Sequence, residues 1–210
     1  FVSLVIGHRG APLVAAENSV ASFRAASAAG ADGVELDVRR TADRGFAVTH
    51  DAHLPDGRPV VTLGRGELPD EIPDLDAALD ACRGLRLVNV EIKNWPDDPD
   101  FDATLGFVDA VVEVLAARPS DERERFVVGW LIIGGEDSVA QVVAHGHQAL
   151  HPHHAFVTPE LVELAHREEV AVNTWTCDDP DRIRWLDGIG VDGIVTNAPG
   201  VALSALGRDG

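Results

Sequence analysis

Gly33-Val34-Glu35-Leu36-Asp37-Val38 sets the frame for the rest of the chain. Its alternation is that of a strand, and residues two apart on a strand point to the same face. Glu35 and Asp37 therefore project together, while Val34, Leu36 and Val38 fill the other side. An isolated Glu-x-Asp reads as the polar outside of a half-exposed strand. Here it has company: Gly7-His8-Arg9-Gly10 upstream, Thr49-His50-Asp51 downstream and Glu91-Ile92-Lys93 further on. Two adjacent carboxylates repel and resist desolvation unless something cationic sits between them.

Working outward, the chain alternates strand with helix. Leu4-Val5-Ile6 leads into Gly7-His8-Arg9-Gly10, with chemistry at the strand's C-terminal end. A helix follows from about Asn18 or Ser19, both good N-caps, with Val20, Phe23 and Ala26 as its buried stripe and Gly30 as its stop. After the Glu35/Asp37 strand, Thr41 to Gly45 is too short for a helical crossover. Phe46 to His50 therefore returns as an antiparallel hairpin strand. Pro55 to Pro73 is rich in Gly and Pro and reads as a surface loop, so an insertion covers about 41–73. Asp74 caps a helix with the stripe Leu75, Ala78, Leu79 and Cys82. A longer helix over about 102–117 carries Leu105, Val108, Val112 and Leu115 at helical spacing. Thr158-Pro159 and Asp179-Pro180 open two later helices as N-cap and first helical residue.

Strands expected at 4–8, 33–38, 87–93, 126–128, 130–133, 149–152, 170–176 and 193–196 count to eight. Alternation with near-continuous apolar strands implies a parallel sheet covered by helices. Eight is the number of a (β/α)8 TIM-type barrel, here one domain over 1–210 with the hairpin and loop insertion after strand two. A doubly wound sheet is the alternative, but His8-Arg9-Gly10 lacks the glycine-rich phosphate fingerprint. The rhythm breaks once: Gly129 alone separates two strand-like runs, whereas parallel neighbours need a crossover of a dozen or more residues. This points to a segment missing between Val128 and Gly129, with one long strand as the alternative.

With 35 acidic against 17 basic residues the net charge is −18. That argues against binding nucleic acid and against docking on anionic lipid. An anionic substrate has to be received at a local positive site, made by a metal or a few basic groups. No apolar run approaches the ~20 residues of a membrane span, and nothing near residue 1 has the order of a signal peptide. The expectation is a cytoplasmic protein. The chain begins at Phe1 without a methionine, so an N-terminal piece and export stay open. Cys82 and Cys177, without C-x-x-C spacing, read as reduced structural thiols.

In such a barrel the site lies at the C-terminal ends of the strands. The chemistry-bearing residues fall there: His8, Glu35, Asp37, Glu91, Lys93 and Trp175. Carboxylates from adjacent strands make an all-oxygen pocket for one hard divalent cation, Mg²⁺ or Ca²⁺, and not for zinc. Imidazoles beside it suit proton transfer near neutral pH. Lys93 neutralises part of the carboxylate charge and can meet a phosphate oxygen, and Trp175 reads as a pocket wall. His145, His147, His151, His153, His154 and His166 read as surface or packing groups.

The motifs Gly7-His8-Arg9-Gly10, Glu17-Asn18-Ser19, Gly30 to Val38, Val48-Thr49-His50-Asp51, Glu91-Ile92-Lys93, Trp175-Thr176 and Gly190 to Thr196 resemble the glycerophosphodiester phosphodiesterase family, nearly end to end and in order. The resemblance implies a metal-dependent barrel hydrolase. Its substrate is a small glycerophosphodiester, split into sn-glycerol 3-phosphate and an alcohol. It also implies that Glu35, Asp37 and Glu91 hold the metal, that His8 and His50 are the acid–base pair, and that Arg9 and Lys93 meet the phosphate. Two departures stand out. The family usually has a Ser-Phe motif where Val128 runs directly into Gly129-Trp130, and it commonly has Asp where Asn197 stands. Attack by the glycerol 2-hydroxyl, through a cyclic phosphate, and attack by water are both open. Two rival readings are a phospholipase D-like or cyclising phosphodiesterase acting on lysolipids, and a non-catalytic metal- or ligand-binding barrel. The first calls for an apolar strip near the mouth, which the sequence does not display; the second calls for loss of a motif histidine, and both are present.

Overall fold

The computed structural model describes residues 2–126, 129–132 and 137–208. Its strands are β1 (Leu4–Gly7), β2 (Gly33–Arg40), β3 (Phe46–Val48), β4 (Leu87–Ile92), β5 (Gly129–Ile132), β6 (Ala149–Pro152), β7 (Ala171–Thr174) and β8 (Gly193–Thr196). Within the sheet the order is β3-β2-β1-β8-β7-β6-β5, with β4 also on β2. Every pairing is parallel except that of β3, which runs antiparallel to the end of β2 as the hairpin expected from its short link. The staves therefore follow one another as β4-β2-β1-β8-β7-β6-β5. The fold is the TIM-type (β/α) barrel, with helices alternating between strands.

The strand expected at 126–128 falls mostly outside the described residues. Phe126 lies outside any strand, and Val127 and Val128 lie outside the described residues. Among the described residues no pairing joins β4 to β5. A strand ending at Val128 has no length of chain in which to cross over before β5 begins at Gly129. A cleft of about 530 Å³ opens there, with Glu91 and Lys93 in its wall beside Val108, Val112, Leu115 and Leu131.

Among the helices, α1 (Val20–Ala28) is capped by Ser19, whose hydroxyl accepts from the Ser22 N–H, and buries Phe23 and Ala26. α2 (Leu75–Ala81) starts at the Asp74 cap and buries Leu75, Ala78 and Leu79. α3 (Gly106–Ala117) corrects the expected stripe: it buries Phe107 and Val111. Val108, Val112 and Leu115 line the cleft instead. The short α4 (Ser120–Arg123) carried no sequence signal. α5 (Asp137–Ala144), α6 (Pro159–Arg167), α7 (Pro180–Gly188) and α8 (Pro199–Ala205) complete the outer layer. The Thr158 and Asp179 caps and the prolines after them stand as expected. No helix among the described residues is long and apolar enough to cross a membrane.

Two apolar clusters lie between the strands and the helix layer, one around β2 and α1–α3, the other around β6–β8 and α5–α8. Cys82 belongs to the first and Cys177 to the second; both are free and buried. Burial pushes the Cys82 thiol up to about 12, as suits an inert core group. The barrel interior holds Ile6, Leu87 and Val195 with Leu4 and Trp175 against them. Residues 41–73 are more than a loop, since Ala47, Leu54, Val60, Leu63 and Leu68 bury one another in a small core of their own.

Candidate active site

Strand register assembles the carboxylates. Asp37 on β2 sits opposite Glu91 on β4, and Glu35 sits opposite Asn89 one rung below. Oxygens of Glu35, Asp37 and Glu91 come within 4.8 Å of one another. Glu35 and Asp37 are buried, at 3% and 1% exposure. The cation that this pairing asks for is present in part. Lys93 Nζ lies 2.9 Å from Asp37 Oδ1 and contacts Glu91 Oε1. Arg9 Nε lies 3.1 Å from Asp37 Oδ2, and Arg9 Nη1 donates to Glu17 Oε1 at 2.9 Å. Asn18 adds a two-point clamp: its Nδ2 donates to Asp37 Oδ2 at 2.7 Å, and its Oδ1 accepts from the Asp37 N–H at 3.2 Å.

These partners pull the carboxylates apart electrostatically. Burial works to raise the Asp37 carboxyl, but Lys93, Asn18 and Arg9 outweigh it and hold the group below its usual range. Glu35 goes the other way, pushed well up by burial first and then by repulsion from Asp37 and Glu91. Its Oε2 accepts from the Arg9 N–H at 2.9 Å, while Oε1 is buried without a hydrogen-bond partner. Four carboxylates, counting Glu17, meet two cationic side chains. Unspent negative charge, an orphaned buried oxygen and an all-oxygen donor set fit a hard divalent cation.

His8 stands at this rim, and the turn that carries His50 is tied to β2 through its backbone. His8 follows β1, with Nε2 4.0 Å from Glu35 Oε2 and Nδ1 against Asn197 Oδ1 at 2.7 Å. His50 lies just beyond β3; the Thr49 N–H donates to the Asp37 carbonyl at 3.0 Å, which holds this turn beside β2. His50 Nδ1 meets Asp51 Oδ1 at 2.8 Å. Trp175, half-buried, packs against the barrel interior and donates from Nε1 to the His151 carbonyl at 2.7 Å. The ring of His153 stands edge-on to it, with centroids 5.3 Å apart.

Asn18, expected at a helix start within the Glu17-Asn18-Ser19 motif, holds Asp37 and adopts φ 55°. The signal was present in Glu17-Asn18-Ser19. Only Ser19 is needed as a cap, which leaves two polar residues for another task. Asp178 was not singled out, and nothing local to Cys177-Asp178-Asp179 separates it from the true cap at Asp179.

Comparison with known proteins places this arrangement. The model of the glycerophosphoryl diester phosphodiesterase family matches residues 8–83 and 112–201, well over half of the chain. The match skips the segment that carries Glu91 and Lys93, so their place rests on the register of β4 against β2. The glycerophosphodiester phosphodiesterase of Caldanaerobacter subterraneus subsp. tengcongensis is 27% identical, with 99% of each chain covered; the alignment spans 245 positions against this chain's 210 residues. Among solved structures, the glycerophosphodiester phosphodiesterase of Thermotoga maritima superposes with a TM-score of 0.80 at 25% identity, covering 97% of this chain and 98% of that one. An Oleispira antarctica phosphodiesterase, solved with the product sn-glycerol 3-phosphate, shares the fold at a TM-score of 0.85 and 22% identity, covering 99% of this chain and 98% of that one. The chain is an enzyme and belongs to the glycerophosphoryl diester phosphodiesterase family.

Proposed function

We propose that this enzyme releases sn-glycerol 3-phosphate and an alcohol from glycerophosphodiesters. In this reading one divalent cation, Mg²⁺ or Ca²⁺, is held by Glu35, Asp37 and Glu91, and His8 and His50 are the acid–base pair. The observation that carries it is the convergence of three carboxylates from neighbouring strands, with charge and one buried oxygen left unsatisfied. The product seen with the Oleispira antarctica phosphodiesterase supports the same product here. When bound, such a cation supplies Lewis-acid neutralisation of the phosphodiester's negative charge, which otherwise repels nucleophiles.

The chain's own residues do the rest. Arg9 and Lys93, anchored on the carboxylates, add positive charge where the phosphate arrives, and Trp175 walls the pocket. One histidine takes the nucleophile's proton while the other protonates the leaving oxygen, each worth about 10²–10⁴-fold in rate. The nucleophile is either water or the substrate's own 2-hydroxyl.

The test is release of sn-glycerol 3-phosphate from glycerophosphocholine with Mg²⁺ or Ca²⁺ supplied. Expected is turnover by the wild type and a loss of about 10²–10⁴-fold in His8→Ala and in His50→Ala. Near wild-type rates in both variants remove the acid–base assignment. A wild type inactive on every glycerophosphodiester with either ion removes the whole reading.

A further inference from the structure

The His8 ring is held by a chain of hydrogen bonds that begins outside the residues so far given a role. Asp178, in the turn between β7 and α7, accepts from three groups. Thr196 Oγ1 donates to its Oδ1 at 2.8 Å, and the Asn197 N–H donates to the same oxygen at 2.7 Å. The Asn197 side-chain Nδ2 donates to Oδ2 at 2.7 Å. Thr196 is fixed in turn by accepting from the Ala198 N–H at 3.1 Å.

An ionised carboxylate only accepts hydrogen bonds. The Asn197 amide therefore has one workable orientation, since turning it over would set its carbonyl oxygen against a carboxylate oxygen. Burial works to raise the Asp178 carboxyl, but the bonds from Asn197 and Thr196 outweigh it and keep the group below the usual carboxylate range. With Nδ2 committed to Asp178, the atom Asn197 presents to His8 is Oδ1, at 2.7 Å. An amide oxygen cannot donate, so the proton in that bond belongs to His8 Nδ1. This holds whether the ring carries one proton or two. We propose that Asn197, oriented by Asp178, is a positioning residue that locks His8 in the Nδ1–H tautomer. His8 then exchanges a proton with the reacting oxygens only at Nε2, the nitrogen that faces the carboxylate cluster.

The anionic end of the relay is at Asp178, one side chain removed from the ring, and the amide between them passes on orientation without charge. The two positions are therefore coupled. Asn197→Asp alone sets two carboxylates face to face and removes the Nδ2 donor. Asp178→Asn alone frees the Asn197 amide to turn its Nδ2 toward His8, which forces the proton onto Nε2. The double substitution exchanges the two groups and restores one acceptor beside the ring and one donor behind it.

The inference rests on the hydrolase reading for its activity arm and is independent of it for its spectroscopic arm. ¹⁵N spectra of the histidine rings, taken on the full chain with Mg²⁺ present and His8 assigned through His8→Gln, report the tautomer directly. Expected are a protonated Nδ1 at His8 in the wild type and loss of that signature in Asp178→Asn. On glycerophosphocholine, kcat should fall about 10²–10⁴-fold in each single variant with KM within threefold of wild type, and recover at least tenfold in the double variant. A wild-type ring protonated at Nε2 alone overturns the proposal. So does an Asp178→Asn variant that keeps both Nδ1–H and wild-type kcat. If the wild type turns over no glycerophosphodiester, the hydrolase reading fails while the spectra still decide the tautomer.

Discussion

Asp37 stays ionised inside a barrel because Lys93, Arg9 and Asn18 reach it from three directions. No such company surrounds His151, which lies in the barrel interior below the site at 7% exposure. Among the described residues its ring nitrogens touch only the Asn89 and Asn173 amides, each at 3.4 Å. Burial lowers its pKa from 6.5 to about 4. A group depressed in this way is neutral in the fold but protonates readily in the unfolded chain. Its stabilising effect is present in full above pH 6.5 and is lost as the pH falls toward 4. Between pH 7 and pH 5 that amounts to about 2 kcal/mol. Urea unfolding at the two pH values should show this loss in the wild type and a difference smaller by about that amount in His151→Gln. Equal pH dependence in both proteins contradicts the assignment.

At the scale of elements, periodicity located the helices well wherever a helix packs against strands that are present. The stripes of α1 and α2, the caps at Ser19, Asp74, Thr158 and Asp179, and the β2–β3 hairpin were all readable from local chemistry. The stripe of α3 was not, because periodicity says which residues share a face and not which face finds a partner. Val112 is left 52% exposed and Leu131 46% exposed on opposite walls of the cleft. Each wall also ends in a strand edge whose outer N–H and C=O groups lack a strand partner among the described residues, a configuration that folded sheets ordinarily cover. A strand–loop–helix unit introduced between Val128 and Gly129 is expected to seat in this opening. Its apolar strand would bury Val108, Val112 and Leu131 and slow hydrogen exchange along β4. Raised thermal stability with slowed exchange at 88–92 supports the placement; unchanged exchange on β4 with an ordered insert elsewhere refutes it.

For the whole molecule, the net charge of −18 concentrates attention on the few places where cations gather. The mouth of the barrel is one, and even there carboxylates outnumber the cations beside them. The carboxylate set was legible in the sequence because strand alternation fixes a face and strand order fixes neighbours. Of the supports, Asn18 is signalled only by the spare polar residues of Glu17-Asn18-Ser19 and Asp178 not at all, because both come from loops whose paths no periodicity describes. Glu35, Asp37 and Glu91 are expected to close around one hard cation. Calorimetric titration of the metal-stripped protein with Mg²⁺ or Ca²⁺, run beside Glu35→Gln, tests it without reference to turnover. The arrangement predicts one site per chain in the wild type and at least a tenfold loss of affinity in the variant, whose amide fills the same space without the charge. Absence of binding in the wild type, or equal affinity in the two proteins, contradicts it.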